Sequence, residues 1–377
     1  MSEPLPFRIE VPDAVLEDLR RRLLATRWPD SVEDAGWDYG TDLAFMRELC
    51  GYWAADYDWR AHERALNELP QFLLKLSGRD VHFIHARGRG PAPLPLVVTH
   101  GWPSCFYEMH KIVGPLSDPA AHGGDPADAF HVVAPSLPGY GFSERPSTRG
   151  VSIDTVADTW VLLMQSLGYE RFGAQGGDWG AAVNSALGHR HAERLVGLHY
   201  NMLSVPVDEA SLNAKQRAWW ESVKAYRAKE WGYVHLQSTK PQTPAFALND
   251  SPVGLAAWIL EKWRRWSDCD GDLLRSYTRD ELCTLVTLYW VTQTIGSSMR
   301  MYYESFGKAI APEAPARIDV PVGAALFNEA NRPPREIVEP YFNIVRFTEV
   351  DRGGHFPAFE NPQGLIEEIR AFFRGLR

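Results

Sequence analysis

Five residues, Gly176-Gly177-Asp178-Trp179-Gly180, constrain this chain more tightly than any others. They follow a short strand pattern, Phe172-Gly173-Ala174-Gln175, and precede a helical pattern over about 181–195. A strand that passes into a helix over so few residues must turn sharply. A Cβ at either flank of that turn would strike the neighbouring strand or helix. The central residue of such a turn is where a nucleophile is displayed. An aspartate here could also simply cap the helix beginning at Trp179, so the motif needs partners elsewhere in the chain.

The rest of the chain supplies a setting for that turn. From residue 79, strand patterns recur at 81–85, 94–99, 130–134, 172–175 and 196–200, with helical patterns such as 153–167 between them. This alternation implies a mostly parallel sheet covered on both faces. It breaks from 205 to about 310, a helical stretch rich in Trp and Tyr that contains a loop at 239–244. It resumes at 320–327 and 344–348 and closes with a helix over 362–373. Residues 1–78 read as helical packing material in three stretches. The first runs through Val15, Leu19 and Leu24, with Asp13 as N-cap and Trp28-Pro29 as its stop; the others span 42–53 and 59–69. The expected plan is a helical segment (1–78), a first core part (79–204), a helical cap (205–310) and a second core part (311–377).

Charge narrows the function classes. There are 39 basic against 48 acidic side chains, a formal net charge of −9. Nucleic acid and anionic membranes both demand a basic face, so neither is an expected partner. No run of about 18 apolar residues occurs, and Met1-Ser2-Glu3-Pro4 does not open a signal peptide. The four cysteines form no C-x-x-C pair, so no zinc site or disulfide framework is indicated, and a cytoplasmic enzyme is expected. The 14 Trp residues suit an apolar pocket, or a thick core.

Two further motifs join Asp178. His100-Gly101-Trp102-Pro103 ends the strand Val97-Val98-Thr99, where a loop can donate the Trp102 N–H to an oxyanion hole completed by Trp179 N–H. Arg352-Gly353-Gly354-His355-Phe356 lies between the last strand and last helix and offers His355 as a general base. Nucleophile, acid, then His is the chain order of the α/β-hydrolase fold. The acid should follow the strand 320–327, where Glu329 stands; Asp319 is at the wrong end, and Glu336 is the fallback. A carboxylate that attacks a saturated carbon leaves an alkyl ester, which water can hydrolyse to return the Asp. Epoxide opening and carbon–halogen cleavage both fit. An opening epoxide also needs O–H donors for its oxygen, and the insertion offers Tyr233 and Tyr302.

These blocks resemble the microsomal-type epoxide hydrolases over nearly the whole chain. The resemblance rests on Trp28-Pro29, Tyr57-Asp58-Trp59-Arg60, His100-Gly101-Trp102-Pro103, Gln175 to Gly180, Gln237 to Thr243, Asp250 to Ile259 and Arg352 to Phe356. It implies an α/β-hydrolase fold with a helical cap and N-terminal meander, hydrolysing a hydrophobic or aromatic epoxide to a vicinal diol. Asp178 falls on the family nucleophile, His355 on the base, and Tyr233 and Tyr302 on the ring-opening tyrosines. It selects Tyr302 over the adjacent Tyr303. No metal or organic cofactor is implied; the expected partners are a small-molecule epoxide and water, with a homodimer as the expected assembly. The segment Phe327-Asn328-Glu329 is one residue shorter than the usual family spacing, and, with no stretch like the mammalian members' N-terminal anchor expected, the resemblance favours a soluble, bacterial-type enzyme. A haloalkane or haloacid dehalogenase is the alternative enzyme, and a non-catalytic binding protein the alternative class.

Overall fold

The computed structural model describes residues 3–306, 317–329 and 331–377. Among the described residues one sheet of nine strands runs in the order β1-β2-β3-β5-β4-β6-β7-β8-β9. The strands are β1 (Leu5–Pro6), β2 (Gln71–Leu76), β3 (Arg79–Ala86), β4 (Leu94–Thr99), β5 (Phe130–Pro135), β6 (Phe172–Gly176), β7 (Leu195–Tyr200), β8 (Ile318–Leu326) and β9 (Phe342–Glu349). Every pairing from β5 through β4 to β9 is parallel, while β1, β2, β3 and β5 pair antiparallel. The parallel strands are apolar runs because helices cover both their faces: Leu96, Val97 and Val98 are fully buried. This is the α/β-hydrolase fold.

Helices α1 (Asp13–Leu24), α2 (Leu43–Ala55) and α3 (Trp59–Leu66) precede the sheet proper. Helices α4 (His110–Ser117), α5 (Ile153–Ser166) and α6 (Asp178–Arg190) connect its strands. Among the described residues six helices then form the insertion: α7 (Ala214–Glu230), α8 (Gly232–Thr239), α9 (Gln242–Leu248), α10 (Pro252–Trp266), α11 (Arg279–Thr292) and α12 (Ile295–Phe306). The short α13 (Arg335–Val338) and α14 (Pro357–Glu360) and the final α15 (Pro362–Arg374) follow. Among the described residues no helix is long and apolar enough to cross a membrane. The four cysteines are buried and free.

Several local expectations need correction. The segment 1–78 is not wholly helical, because it contributes β1 and β2. Strand β2 follows α3 so closely that its apolar residues read as more helix; its pairing with β3, through a left-handed Ser77-Gly78 turn, makes it a strand. Asp13 is the first residue of α1 rather than its cap, since Pro12 holds the cap position, and α1 stops at Leu24, before Trp28-Pro29. Helix α6 begins at Asp178 itself, not at 181, and ends at Arg190. The loop expected at 239–244 shrinks to Lys240-Pro241 between α8 and α9. The expected boundary at 310/311 lies outside the described residues.

The N-terminal helices brace the insertion. Trp53 Nε1 donates to Thr287 Oγ1 at 2.9 Å, the Tyr57 hydroxyl meets Thr284 Oγ1 at 2.9 Å, and the Tyr52 hydroxyl donates to Asp280 Oδ1 at 2.6 Å, all on α11. From α1, Arg22 reaches Asp250 at 2.7 Å, just ahead of α10. Trp53 is buried in this seam. Trp53→Ala should therefore cost about 3–5 kcal/mol through the cavity and the lost bond, read as a lower urea midpoint.

Candidate active site

Strand β6 delivers the chain to a tight turn at its carboxyl end. Gly177 occupies the cap position, and Asp178 takes a left-handed backbone, φ +47°, as the first residue of α6. Non-glycine residues rarely hold that conformation, which favours a displayed side chain over a capping one. The flanking glycines are demanded by contact. A Cβ on Gly176 would lie 2.5 Å from the Gly180 carbonyl carbon, and one on Gly180 would lie 2.2 Å from the Thr99 oxygen. Helix α6 thus sits directly against β4 and β6.

The two oxygens of the Asp178 carboxylate have different partners. Oδ1 accepts the Trp102 N–H at 2.8 Å and the Trp179 N–H at 2.7 Å. Oδ2 lies 3.5 Å from His355 Nε2. On its other side, His355 Nδ1 stands 2.9 Å from Glu329 Oε2. A carboxylate only accepts, so Nδ1 carries the proton and Nε2 faces Asp178. Burial opposes a charged imidazole here, but hydrogen bonds and charges from Asp178 and Glu329 outweigh it and hold the His355 pKa well above its ordinary value. The short segment 327–329 still brings Glu329 to His355. The fallback Glu336 is exposed on α13.

The insertion closes over this cluster. Tyr233 on α8 stacks on Trp102, ring centroids 5.1 Å apart, and packs against Trp266 at 5.3 Å. Tyr302 on α12 meets Trp179 edge-on at 4.6 Å and Tyr233 at 5.9 Å. Tyr302 is 3% exposed, whereas its neighbour Tyr303 is 45% exposed. Burial, together with the Asp178 charge, raises both Tyr233 and Tyr302 well above the usual phenol pKa, so both keep their protons. A cavity of about 1200 Å³ contains Asp178, Trp179, Tyr233, Trp266, Tyr302 and His355 in its walls. Trp102 itself is fully buried behind Tyr233.

Sequence reasoning missed what His100 and Trp266 do. His100 is buried, and burial drives its pKa down to about 4, so it is neutral. Its Nδ1 donates to the Gly101 oxygen at 3.0 Å, and its Nε2 accepts the Leu137 N–H at 3.1 Å. That pins the loop carrying Trp102 N–H. The only sequence signal was its place at the head of the Gly101-Trp102-Pro103 motif. Trp266 ends α10 and places its ring 4.9 Å from that of His355. Nothing in its own sequence context separates it from the other tryptophans of the insertion.

Comparison with known proteins agrees along the whole chain. Residues 4–109 match the family model described as the epoxide hydrolase N terminus, and 95–246 match that of the alpha/beta hydrolase fold. A protein of Stigmatella aurantiaca (strain DW4/3-1), assigned as an epoxide hydrolase, is 42% identical over 99% of this chain and 85% of its own length. Epoxide hydrolase 1 of Sus scrofa is 36% identical over 97% of this chain and 88% of its own. Among solved structures, juvenile hormone epoxide hydrolase from the silkworm Bombyx mori superposes with a TM-score of 0.87 at 30% identity, covering 100% of this chain and 95% of that one.

The link between Glu329 and His355 can be tested without substrate. Glu329→Gln keeps an acceptor oxygen but removes a negative charge that stabilises the imidazolium. The His355 proton should then leave at lower pH, seen as a downward shift in its NMR titration midpoint. An unchanged or raised midpoint would exclude Glu329 as a source of the elevation.

Proposed function

The chain belongs to the epoxide hydrolase family and is an epoxide hydrolase, and we propose that it works through a covalent ester at Asp178 on hydrophobic or aromatic epoxides. The observation that carries this reading is the divided Asp178 carboxylate. Two backbone N–H groups hold Oδ1, leaving Oδ2 toward the cavity as the attacking oxygen. Oδ2 bonds to an oxirane carbon as that carbon's bond to the ring oxygen breaks. The ring oxygen takes a proton from Tyr233 or Tyr302, and the second phenol donates a hydrogen bond to it. The raised phenol pKa values keep both donors protonated until that moment.

The second step reuses the same geometry. His355 Nε2 takes a proton from water, and the hydroxide adds to Cγ of the ester. Charge develops on Oδ1, which already sits between the Trp102 and Trp179 N–H groups. Glu329 stabilises the imidazolium that forms. Collapse breaks the bond between Cγ and the alkyl oxygen, which takes the proton from His355 as the diol leaves. The carboxylic acid left at Asp178 returns a proton to the tyrosinate. One epoxide and one water become one diol. Esterification also removes the Asp178 charge, one of the two that raise His355. The imidazole therefore holds its proton less tightly when it must act as a base.

The aromatic walls, among them Trp231, Trp266 and Phe306, support an apolar substrate. A panel of aryl and alkyl epoxides, with chiral analysis of the diols, tests this. Asp178→Ala should fold and form no diol; normal turnover would sink the covalent route. His355→Gln should still be alkylated but not hydrolysed, so mass spectrometry should find protein plus one substrate mass. Halide release from haloalkanes in place of diol formation would favour dehalogenation instead.

The tyrosines give a separate check. Tyr233→Phe and Tyr302→Phe should each slow alkylation by roughly 10-fold or more, about 1.4 kcal/mol, because Phe keeps the ring and loses only the hydroxyl. The exposed Tyr303→Phe should leave the rate nearly unchanged. Single-turnover kinetics reads all three.

A further inference from the structure

The loop that carries His355 is suspended from side chains the reaction does not use. Its four consecutive backbone N–H groups are all taken. Gly353 N–H donates to Asp268 Oδ2 at 3.0 Å, and Gly354 N–H to Glu360 Oε2 at 2.9 Å. His355 N–H donates to the Trp266 carbonyl at 3.0 Å, and Phe356 N–H to Glu360 Oε1 at 2.9 Å. Glu360 Oε2 also accepts the Asp268 N–H at 2.6 Å, which ties the two carboxylates' anchor points together. Asp268 Oδ1 in turn accepts from the Asn328 amide at 3.2 Å, one residue before Glu329. Both Trp266 and Asp268 belong to the end of α10 and the residues just after it, in the insertion. The approach is close: a Cβ on Gly354 would lie 2.5 Å from the Trp266 oxygen and 2.7 Å from the Asp268 nitrogen.

Both Glu360 oxygens are thus committed to backbone N–H groups on either side of His355. Burial pushes its carboxyl pKa up, while the N–H donors of Asp268, Phe356 and Gly354 oppose that rise. A carboxylate enclosed in this way is costly unless its acceptors are used.

We propose that Glu360 and Asp268 are positioning residues for His355, clamping the base loop to the end of α10 so that Nε2 stands correctly over Asp178 for ester hydrolysis. This rests on the two-step reading above. The imidazole does no work in alkylation. A loosened clamp therefore slows the second step and spares the first, whereas general loss of structure slows both. The clamp also joins a cavity wall, Trp266, to the base, so the end of α10 moves with the His355 loop and not as a free lid.

Glu360→Gln tests the clamp by replacing one acceptor oxygen with an amide that faces N–H donors. Stopped-flow and rapid-quench single turnovers would use styrene oxide, or another aryl epoxide that the wild type turns over. Ester hydrolysis should slow roughly 10-fold or more, with the alkylation rate kept. The ester should accumulate, kcat and KM should fall together, and kcat/KM should hold. Equal slowing of both steps, or no slowing of hydrolysis, would overturn the proposal. Should Glu360→Gln fail to fold, Asp268→Asn probes the same clamp from the insertion side and should give the same split. A wild type and His355→Gln pair that both lack any ester at Asp178 would instead overturn the two-step reading, and the clamp's role with it.

Discussion

The left-handed backbone at Asp178 costs about 1–2 kcal/mol for a residue with a Cβ, and the molecule is arranged to hold it. Gly176 and Gly180 let α6 press against β4 and β6 on either side of the turn. With α6 so placed, the Trp179 N–H points at the Asp178 carboxylate from one side. The β4 loop, pinned by neutral His100, brings the Trp102 N–H from the other. A single strained residue therefore fixes where one carboxylate oxygen is held and where the other is offered.

The cluster sits where three parts of the chain meet. The sheet presents Asp178, Glu329 and His355 at the carboxyl ends of β6, β8 and β9. The insertion supplies Tyr233 and Tyr302 from α8 and α12, and it hangs the His355 loop from the end of α10. The N-terminal helices meet the insertion elsewhere. They grip α11 and the start of α10 through Trp53, Tyr57, Tyr52 and Arg22. The insertion that carries both phenols is thus braced from behind.

Electrostatics binds the parts further. Asp178 and Glu329 flank His355 and lift its pKa, while the same Asp178 charge adds to burial in raising both phenols. The Asp178 charge therefore favours the protonated form of both phenols, alongside burial, and of His355, alongside Glu329. In the proposed cycle, that charge leaves Asp178 for a tyrosinate when the ester forms, which weakens the hold on the His355 proton before the imidazole acts as a base.

Much of this was legible in the chain. The glycine-flanked aspartate, the β-branched runs of the parallel strands and the order Asp178, Glu329, His355 are local or sequential signals, and buried parallel strands write them as unbroken apolar runs. Strand β2 was not legible, because only four residues separate it from α3, and only pairing with β3 makes its apolar residues a strand. Tyr302 and Tyr303 look alike in sequence, and family resemblance alone favoured the first. On a helix they point about 100° apart, so the packing of α12 buries one ring and exposes the other. Glu329 and Glu336 both follow β8; the turn of 327–329 carries the first to His355 and leaves the second on an exposed helix. Asp268 and Glu360 carry no motif at all. What the sequence by itself determined was the glycine-flanked aspartate turn, the order of the candidate groups and the parallel scaffold, since all of these depend on neighbours in the chain. Which tyrosine is buried, which glutamate meets His355 and which carboxylates hold its loop depended largely on contacts between distant residues, 26 positions apart for Glu329 and His355 and 85 for Asp268 and Gly353, and only the tertiary structure decides those contacts.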